Sequence, residues 1–438
     1  MKPFRSLAVH LLVASLSAIA VRACAAPPIV QWQAASGASV YFVQVRSLPV
    51  LDIAEEFPAG GAYDPKGLEG VSLLTHTLIK EGSERSSGAE LDNRLAAVGA
   101  ELSSTFDRDR AGYRLRTLSS DRERAQAIDA FAEIMQQPSF PPEAFEREKA
   151  SLISRTREEL TRPARLAERH LFAAMYRDHP YGRERTAESL AAIARDKVTD
   201  FYRAQYHAAN AIVTLVGDIS ESEARSIAER ITAQLPAGPR SEPLPVVQPD
   251  EGTPKIERVA LPTEQSHILI GMPALTRGDP DYFALYVGNY VLGGGGFVSR
   301  LFRAVREDRG LAYSVASYFA PYAVRGPFVL GLQTERSQTE QALATAQQVL
   351  DRFVSQGPSE AELRAAKKAI AGGFALRTDS NRKILNEVAV IGFYRLPLDW
   401  LDRFVPSVEK LTAAQIRAAF AKRIDPKRLS GVIVGAPR

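Results

Sequence analysis

The sequence GVSLLTHTLIKEGS, at residues 70–83, has the pattern of a short amphipathic helix. Val71, Leu74 and Leu78 occupy positions i, i+3 and i+7, which lie on one face of an α-helix, and a glycine follows where the helix would end. The pattern predicts a helix with one buried face and a single histidine, His76, near its middle. The residues around it decide whether this helix can carry metal chemistry.

The chain surrounding this helix is 438 residues long, which is enough for two or more domains. A proline-rich stretch at residues 235–257, LPAGPRSEPLPVVQPDEGTPKIE, has the composition of an extended, exposed linker. We therefore predict an N-terminal domain at residues 26–234 and a C-terminal domain at residues 258–438.

The two predicted domains repeat each other. FEREKASLI and LRAAKKAI align Lys149 with Lys367, an offset of 367 − 149 = 218. AIVTLVGD and LSGVIVGAP align Val216 with Val434, and 434 − 216 is again 218. Two anchors with one offset indicate an internal duplication. Because each half mixes amphipathic helices with alternating strands, the fold class predicted is α+β, with two homologous α/β sandwich domains.

The N-terminus has the features of a secretory signal peptide at residues 1–25. Lys2 and Arg5 precede the apolar run LAVHLLVASLSAIAV, and ACAA offers a small-residue cleavage site. Cys24 is the only cysteine and would leave with the signal, although a lipid-modified Cys24 or a retained anchor stays open. A mature chain without thiols excludes disulfides and cysteine catalysis. We expect a periplasmic or secreted protein.

The charge of the chain is nearly balanced, with 55 basic and 51 acidic residues interspersed in sign. No basic run stands out, so nucleic-acid binding is not expected. Beyond the N-terminal run, no segment is long and apolar enough to predict a membrane span.

The helix at residues 70–83 resembles the catalytic helix of the pitrilysin/insulinase family of zinc peptidases, in particular its mitochondrial-processing-peptidase-like group. In that family a glycine precedes His-x-x-Glu-His, whose histidines at i and i+4 bind one zinc ion while the glutamate activates water. Aligning the glycines of the two frames places Leu73 at the first histidine, His76 at the glutamate and Thr77 at the second histidine. Leucine offers no donor atom, and threonine is not a usual zinc ligand.

The third zinc ligand of the family is a glutamate on a later helix. Counting along FEREKASLISRTREEL places Arg155 there, although Glu158 and Glu159 lie about one turn onward. A single remaining side chain cannot hold a catalytic zinc. We therefore expect no metal or other cofactor on this chain, and a structural role for His76. His170 and His179 are expected to face different ways, which argues against a displaced metal site.

The second half keeps more of the family pattern. The stretch LGGGGFVSRLFRAVREDRGLAYSVAS, at residues 292–317, matches the family's Ser-Arg-Leu, Arg-Glu, Gly-Leu and Ala-Tyr elements. The resemblance implies that Arg306 and Tyr313, seven residues apart (313 − 306 = 7), bind the substrate backbone and support the tetrahedral intermediate. From spacing alone, an arginine that caps a helix end before Gly310 and a tyrosine half-buried in a strand are the better explanation. The surrounding motif reverses that preference and favours the substrate-binding role.

The glycine run in this stretch has two interpretations. Gly293, Gly294, Gly295 and Gly296 permit either close approach of a peptide or a tight turn. The resemblance implies that they form a loop that contacts the substrate.

These features suggest the non-catalytic subunit of a heterodimeric zinc metallopeptidase. The catalytic partner, of the same family, would supply the zinc, and peptides would be the substrates. The alternative is a catalytically inert peptide-binding or scaffolding protein of the same fold.

Overall fold

Two mixed β-sheets, one in each half of the chain, organise the structure. The computed structural model describes residues 28–248 and 255–435. The predicted signal peptide and Cys24 lie outside these residues. No helix in the described ranges is long and apolar enough to cross a membrane.

The first half contains six strands and eight α-helices among its described residues. The strands are β1 (Val30–Gln33), β2 (Ser39–Gln44), β3 (Val50–Phe57), β4 (Glu101–Phe106), β5 (Ala111–Leu118) and β6 (Ile212–Gly217). The helices are α1 (Val71–Leu78), α2 (Gly88–Ala97), α3 (Asp121–Gln136), α4 (Pro142–Glu159), α5 (Pro163–Met175), α6 (Ala187–Ala192), α7 (Arg195–Gln205) and α8 (Glu221–Thr232).

The second half has five strands, six α-helices and two π-helical segments in its described part. The strands are β7 (Ile256–Val259), β8 (Gln265–Leu275), β9 (Ser314–Phe319), β10 (Gly326–Glu335) and β11 (Ser430–Val434). The helices are α9 (Tyr282–Asn289), α10 (Thr339–Gln356), α11 (Glu360–Phe374), α12 (Asn381–Phe393), α13 (Trp400–Lys410) and α14 (Ala413–Arg423). The π-helical segments are π1 (Tyr290–Gly294) and π2 (Phe302–Glu307).

The two sheets share a topology of five strands, to which the first sheet adds β1 at one edge. The first has the order β1-β2-β6-β3-β5-β4 and the second β7-β11-β8-β10-β9. The strand that comes last in the chain, β6 in the first sheet and β11 in the second, pairs in parallel with β2 or β7 respectively. The other strand pairs common to the two sheets are antiparallel. The repeat offset persists in the structure, because β6 and β11 begin at residues 212 and 430, and 430 − 212 = 218. The predicted fold of two homologous sandwich domains is confirmed.

Each sheet packs its helices over one face to form a core. In the first half, Val71, Leu74 and Leu78 of α1 are buried against the sheet, as the sequence pattern predicts. A second core forms in the same way around β8, β10 and the helices of the second half.

The outer face of each sheet is covered by a helix from the other half. The α5 side chains Leu171 and Met175 are buried with Val432 of the second sheet, whereas Leu385 and Val388 of α12 are buried with residues of the first sheet. The two helices occupy equivalent repeat positions, since 381 − 163 = 218 and 393 − 175 = 218. The halves therefore exchange equivalent helices, which buries apolar surface between them and fixes their relative position.

The segment predicted as a linker is more anchored than its composition suggests. Within its described part, Leu235 and Val247 are buried, and the Pro245 carbonyl accepts a hydrogen bond from His179 Nε2 at 2.8 Å. At its other end, β7 begins at Ile256, inside the predicted linker range. Prolines and polar residues therefore coexist here with specific apolar contacts.

Asp109 joins the two halves at a buried polar centre. Its carboxylate accepts hydrogen bonds from the Tyr181 hydroxyl of the first half, and from the Tyr394 hydroxyl (2.9 Å) and the Ala323 N–H (2.8 Å) of the second. Its side chain is fully buried, and burial raises the pKa of the carboxyl group while these hydrogen bonds oppose that rise. Three donors from both halves thus depend on one acceptor.

A second carboxyl group is buried in the core of the first half without such support. Glu55 of β3 is fully buried, and neither of its oxygens has a hydrogen-bond partner among the described residues. Burial raises the pKa of Glu55 well above its ordinary value, because an ionised carboxylate is unfavourable in such surroundings. The folded protein therefore holds this group protonated beyond the pH at which the unfolded chain ionises it.

The buried Glu55 carboxyl group should make the free energy of unfolding fall as pH rises. Its contribution is complete below the unfolded pKa and is lost as pH rises through the folded pKa. Between the unfolded and the folded pKa of Glu55, we expect the free energy of unfolding to fall by up to about 1.4 kcal/mol per pH unit. Glu55→Gln should remove this slope and stabilise the protein at alkaline pH, as measured by urea unfolding across a pH series.

The adjacent residue provides the matched control. Glu56 points to the opposite face of β3 and pairs with Arg110 at 2.8 Å and Arg114 at 3.0 Å. Glu56→Gln should therefore destabilise the protein under the same conditions. If Glu55→Gln were less stable than the parent at alkaline pH, the assignment of an unsupported carboxyl group would be wrong.

Candidate substrate-positioning site

Helix α1 keeps the geometry of a metal-binding helix without its donor atoms. Leu73 and Thr77, four residues apart, lie on the half-buried face of α1, opposite its buried residues. The Thr77 hydroxyl donates a hydrogen bond to the Leu73 carbonyl at 2.8 Å, so it is satisfied by its own helix. The two positions that the resemblance assigns to histidines therefore hold an apolar side chain and a hydroxyl bonded to its own helix.

His76 lies inside the core and away from solvent. Its side chain is buried, with ring centroids 4.7 Å from Tyr113 and 5.4 Å from Phe106. Neither ring nitrogen has a hydrogen-bond partner among the described residues, and burial lowers the pKa of His76 to about 4. The Tyr113 hydroxyl donates to the His76 carbonyl. A neutral imidazole packed between aromatic rings fits the structural role expected for it.

At the third ligand position of the family, the structure differs from the sequence alignment, which places Arg155 there. Arg155 is exposed, and its guanidinium bonds Ser151 Oγ of its own helix at 3.0 Å. Glu158 is also exposed and pairs with Arg162. Glu159, one helical turn beyond Arg155, instead lines the same cavity as Leu73. There it forms a two-pronged ion pair with Arg185, at 2.8 and 2.9 Å.

The cavity beside α1 has a volume of about 320 Å³ and lies at the junction of the two halves. Leu73, Phe106 and Glu159 of the first half line it together with Tyr322 of the second. The described residues contain no group of three or more His, Cys, Asp or Glu side chains placed to hold a metal ion. The residues at the zinc position of the family therefore do not fit a zinc ion.

The remaining close pair of histidines is separated as the sequence suggests. His170 Nδ1 lies 3.0 Å from Glu257 at the surface, whereas His179 is buried and accepts a hydrogen bond from the Tyr181 N–H. The two rings have different partners and form no common site. His179 therefore holds the turn that precedes α6.

The glycine run forms a wide helical turn between α9 and π2. A Cβ atom at Gly293 would lie 2.4 Å from Ser317 Oγ, and one at Gly295 would lie 2.6 Å from the Tyr290 carbonyl. These glycines are therefore required by close packing. Gly296 differs, because it has a φ of +62° and faces open space.

Asn289 and Ser317 fix this turn against β9. Asn289 Nδ2 donates to the Ser317 carbonyl at 2.9 Å, and Ser317 Oγ donates to Asn289 Oδ1 at 2.7 Å. π-helical segments are rare and often mark functional sites. The tight-turn interpretation thus accounts for Gly293 and Gly295, while Gly296 remains available at the surface.

Arg306 and Tyr313 are both displayed on the surface of the second half. Arg306 lies in π2, and Tyr313, which is 59 % exposed, immediately precedes β9. In the described part of the chain, neither the guanidinium nor the phenol has a hydrogen-bond or ion-pair partner. Neither side chain lines the cavity beside α1. The interpretation of Tyr313 as half-buried in a strand is therefore wrong.

An aromatic stack holds Arg306 beside the glycine run. Its guanidinium carbon lies 4.9 Å from the centroid of Phe302, and the Phe302 ring meets that of Phe297 edge to face at 4.9 Å. Phe297 and Val298 are 74 % and 64 % exposed. The second half thus displays a cation, a phenol and an exposed apolar pair on or next to π1, π2 and β9, elements that contact one another.

Comparison with known proteins gives the family of this architecture. Residues 52–188 match the family described as insulinase (peptidase family M16), and residues 192–370 match the peptidase M16 inactive domain. The crystal structure of a peptidase M16 inactive domain from Pseudomonas fluorescens is 34 % identical, covers 94 % of this chain and 98 % of its own, and superposes with a TM-score of 0.90. The chain belongs to the M16 peptidase family.

Further similar proteins extend the comparison. An uncharacterised zinc protease of Streptomyces coelicolor is 25 % identical over 392 residues, covering 86 % of this chain and 83 % of that protein. One from Bacillus subtilis is 26 % identical over 323 residues, covering 73 % and 77 %. A protease from Helicobacter pylori shares the fold with a TM-score of 0.84 at 16 % identity, covering 93 % of this chain and 99 % of its own.

Sequence reasoning missed the residues that this M16 chain brings to the cavity beside α1. Arg169 of α5 and Arg183 of the following turn line it with Leu73. Both arginines occur in segments of alternating charge, ERH and RER, which are typical of solvated surfaces. No local signal distinguishes them, because their significance depends on which acids lie nearby in space.

Proposed function

We propose that this M16 chain is the non-catalytic subunit of a heterodimeric zinc metallopeptidase. The catalytic partner, a member of the same family, would supply the zinc ion and the His-x-x-Glu-His helix. This chain would supply Arg306 and Tyr313 to peptides bound at the partner's site. The assignment of the chain to the mitochondrial-processing-peptidase-like group is part of this proposal.

The observation that carries the proposal is that Arg306 and Tyr313 expose hydrogen-bond donors without partners among the described residues. The same chain has lost the two histidine ligands at its own zinc position. Arg300, six residues before Arg306, is paired with Glu362 at 2.7 Å. Arg306 has no such partner and is held only by its stacking on Phe302. Groups left unpaired on a fixed element are available to a molecule from outside.

The chemistry of these donors suits the hydrolysis of a peptide bond. A guanidinium offers five N–H donors in a fixed plane, and a phenol offers one directed O–H donor. Both would orient the scissile carbonyl and stabilise the negative charge that its oxygen gains during attack by water. Gly296, with its backbone open to solvent, would lie close to the peptide in such a complex.

The place of action proposed for the mature protein is the periplasm or the exterior of the cell. The support is the sequence of residues 1–25, with its basic start, apolar run and small-residue site.

The test compares three samples with a quenched-fluorescent peptide and added zinc. These are this chain alone, an M16 protein from the same genome with intact His-x-x-Glu-His, and the two mixed. Activity in the mixture alone, with zinc content confined to the partner, is expected. Equal activity of the partner with and without this chain would overturn the proposal and favour an inert peptide-binding or scaffolding protein.

A further inference from the structure

The cavity beside α1 is lined by five arginines and by five acidic side chains. Three of the arginines are neutralised inside it, by the pairs Arg108–Glu184 at 2.7 Å, Arg165–Glu168 at 2.5 Å and Arg185–Glu159 at 2.8 Å. The other two acids are engaged elsewhere. Asp107 pairs with Arg110, and the buried Asp64 accepts the N–H groups of Gly70 and Ser72 at the start of α1.

Arg169 and Arg183 are therefore left without a carboxylate. Arg169 donates to the Arg185 carbonyl at 2.9 Å, and Arg183 donates to the Asp64 carbonyl at 3.0 Å. Neither forms an ion pair within residues 28–248 and 255–435, although the exposed Glu188 lies within electrostatic reach of Arg169. Each guanidinium has five donors, so most of them remain unused in a half-buried position.

An apolar wall adjoins these two cations. Leu73, Phe106 and Tyr322 line the same cavity, and so does Leu160, which is 40 % exposed. A leucine exposed at a cavity wall leaves apolar surface that a ligand side chain can cover. The volume of about 320 Å³ lies at the lower end of ligand sites, which suits the end of a peptide rather than a long segment.

We propose that this cavity binds the C-terminal carboxylate of a peptide. Arg169 and Arg183 bind the carboxylate, and the last side chain of the peptide packs on Leu73 and Leu160. The cavity lies at the position where the family binds zinc, and in this chain it would bind the end of a peptide instead. It goes beyond the proposed function, because it belongs to this chain alone and contains neither Arg306 nor Tyr313.

The charges of the cavity favour a single carboxylate over other ligands. The planar fork of arginine matches a carboxylate in two-pronged geometry. Two unneutralised guanidinium groups repel a metal cation, while the carboxylates of Glu159, Glu168 and Glu184 disfavour a dianion such as phosphate. The apolar wall adds a requirement for an organic group next to the charge.

The test measures fluorescence anisotropy of the full chain with a fluorescein-labelled pentapeptide, Gly-Ser-Gly-Ala-Leu, as free acid and as C-terminal amide. The free acid is expected to bind at least about tenfold more tightly than the amide. Arg169→Gln and Arg183→Gln should each weaken binding of the free acid about tenfold, and Arg183→Lys, which keeps the charge, should weaken it less. Thermal unfolding of each variant checks that it is folded.

The matched control is Arg162→Gln, because Arg162 precedes α5, pairs with Glu158 and does not line the cavity. It should bind the free acid like the parent. Equal affinity for acid and amide, or no binding at millimolar peptide, would overturn the proposal. So would an amide ending in glutamate that binds as well as the free acid, because the site would then recognise any carboxylate. These readouts need no partner, so they stand apart from the test of the proposed function.

Discussion

Replacing Arg306 by alanine is expected to lower the activity of the two-chain complex by about 10²- to 10³-fold, the usual effect of removing one donor to a developing oxyanion. The physical reason is that Arg306 is stacked on Phe302 but has no polar partner of its own in the described structure. Its donors are therefore free to act on a substrate carbonyl. The loss should appear mainly in kcat, because an interaction made in the transition state raises that constant.

Size-exclusion chromatography of the mixture should show as much complex with Arg306→Ala as with the parent chain. Arg303→Ala is the matched control, because Arg303 is an exposed arginine on the same π-helical segment. Tyr313→Phe removes only the hydroxyl and should lower kcat as well, whereas Arg306→Lys should keep part of the activity through its charge. Full activity of Arg306→Ala in an intact complex would rule out the role proposed for it.

Replacing Asp109 by alanine is expected to destabilise the protein by about 3 kcal/mol or more, because it leaves buried donors without an acceptor. Two of these donors, Tyr394 and Ala323, belong to the second half, whereas Tyr181 belongs to the first. The substitution should therefore weaken the connection between the halves as well as the whole fold. We expect the two halves to unfold in separate steps rather than together.

The chain offers its own reporters for this measurement, since Trp32 lies in β1 and Trp400 in α13. Urea unfolding in Trp32→Phe and Trp400→Phe backgrounds follows each half by the fluorescence of the remaining tryptophan. Asp129→Ala, which removes a half-exposed partner of Arg230, should change stability by no more than about 1 kcal/mol. Coincident transitions at unchanged urea midpoints in Asp109→Ala would contradict a joining role for Asp109.

The zinc helix shows how far sequence reasoning reaches at a site. The spacing of apolar residues predicts the buried face of α1, and the side chains at Leu73 and Thr77 exclude metal ligation on their chemistry alone. The third position depends on which turn of α4 lies beside the cavity, because Arg155 and Glu159 are one turn apart on nearly the same face of that helix. Only the packed helices show that Glu159 lies at the cavity while Arg155 points outward.

The sequence by itself determined the duplication, the mixed helix and strand content, and the loss of zinc donors, because these follow from repeated patterns and from what each side chain can bind. The tertiary structure decided that α5 and α12 are exchanged between the halves, because an amphipathic helix shows an apolar face without specifying which sheet will cover it. It also decided which arginines have partners. Charge pairing depends on distances in space, and residues far apart in the chain, such as Arg185 and Glu159 or Asp109 and Tyr394, meet only when the fold is complete.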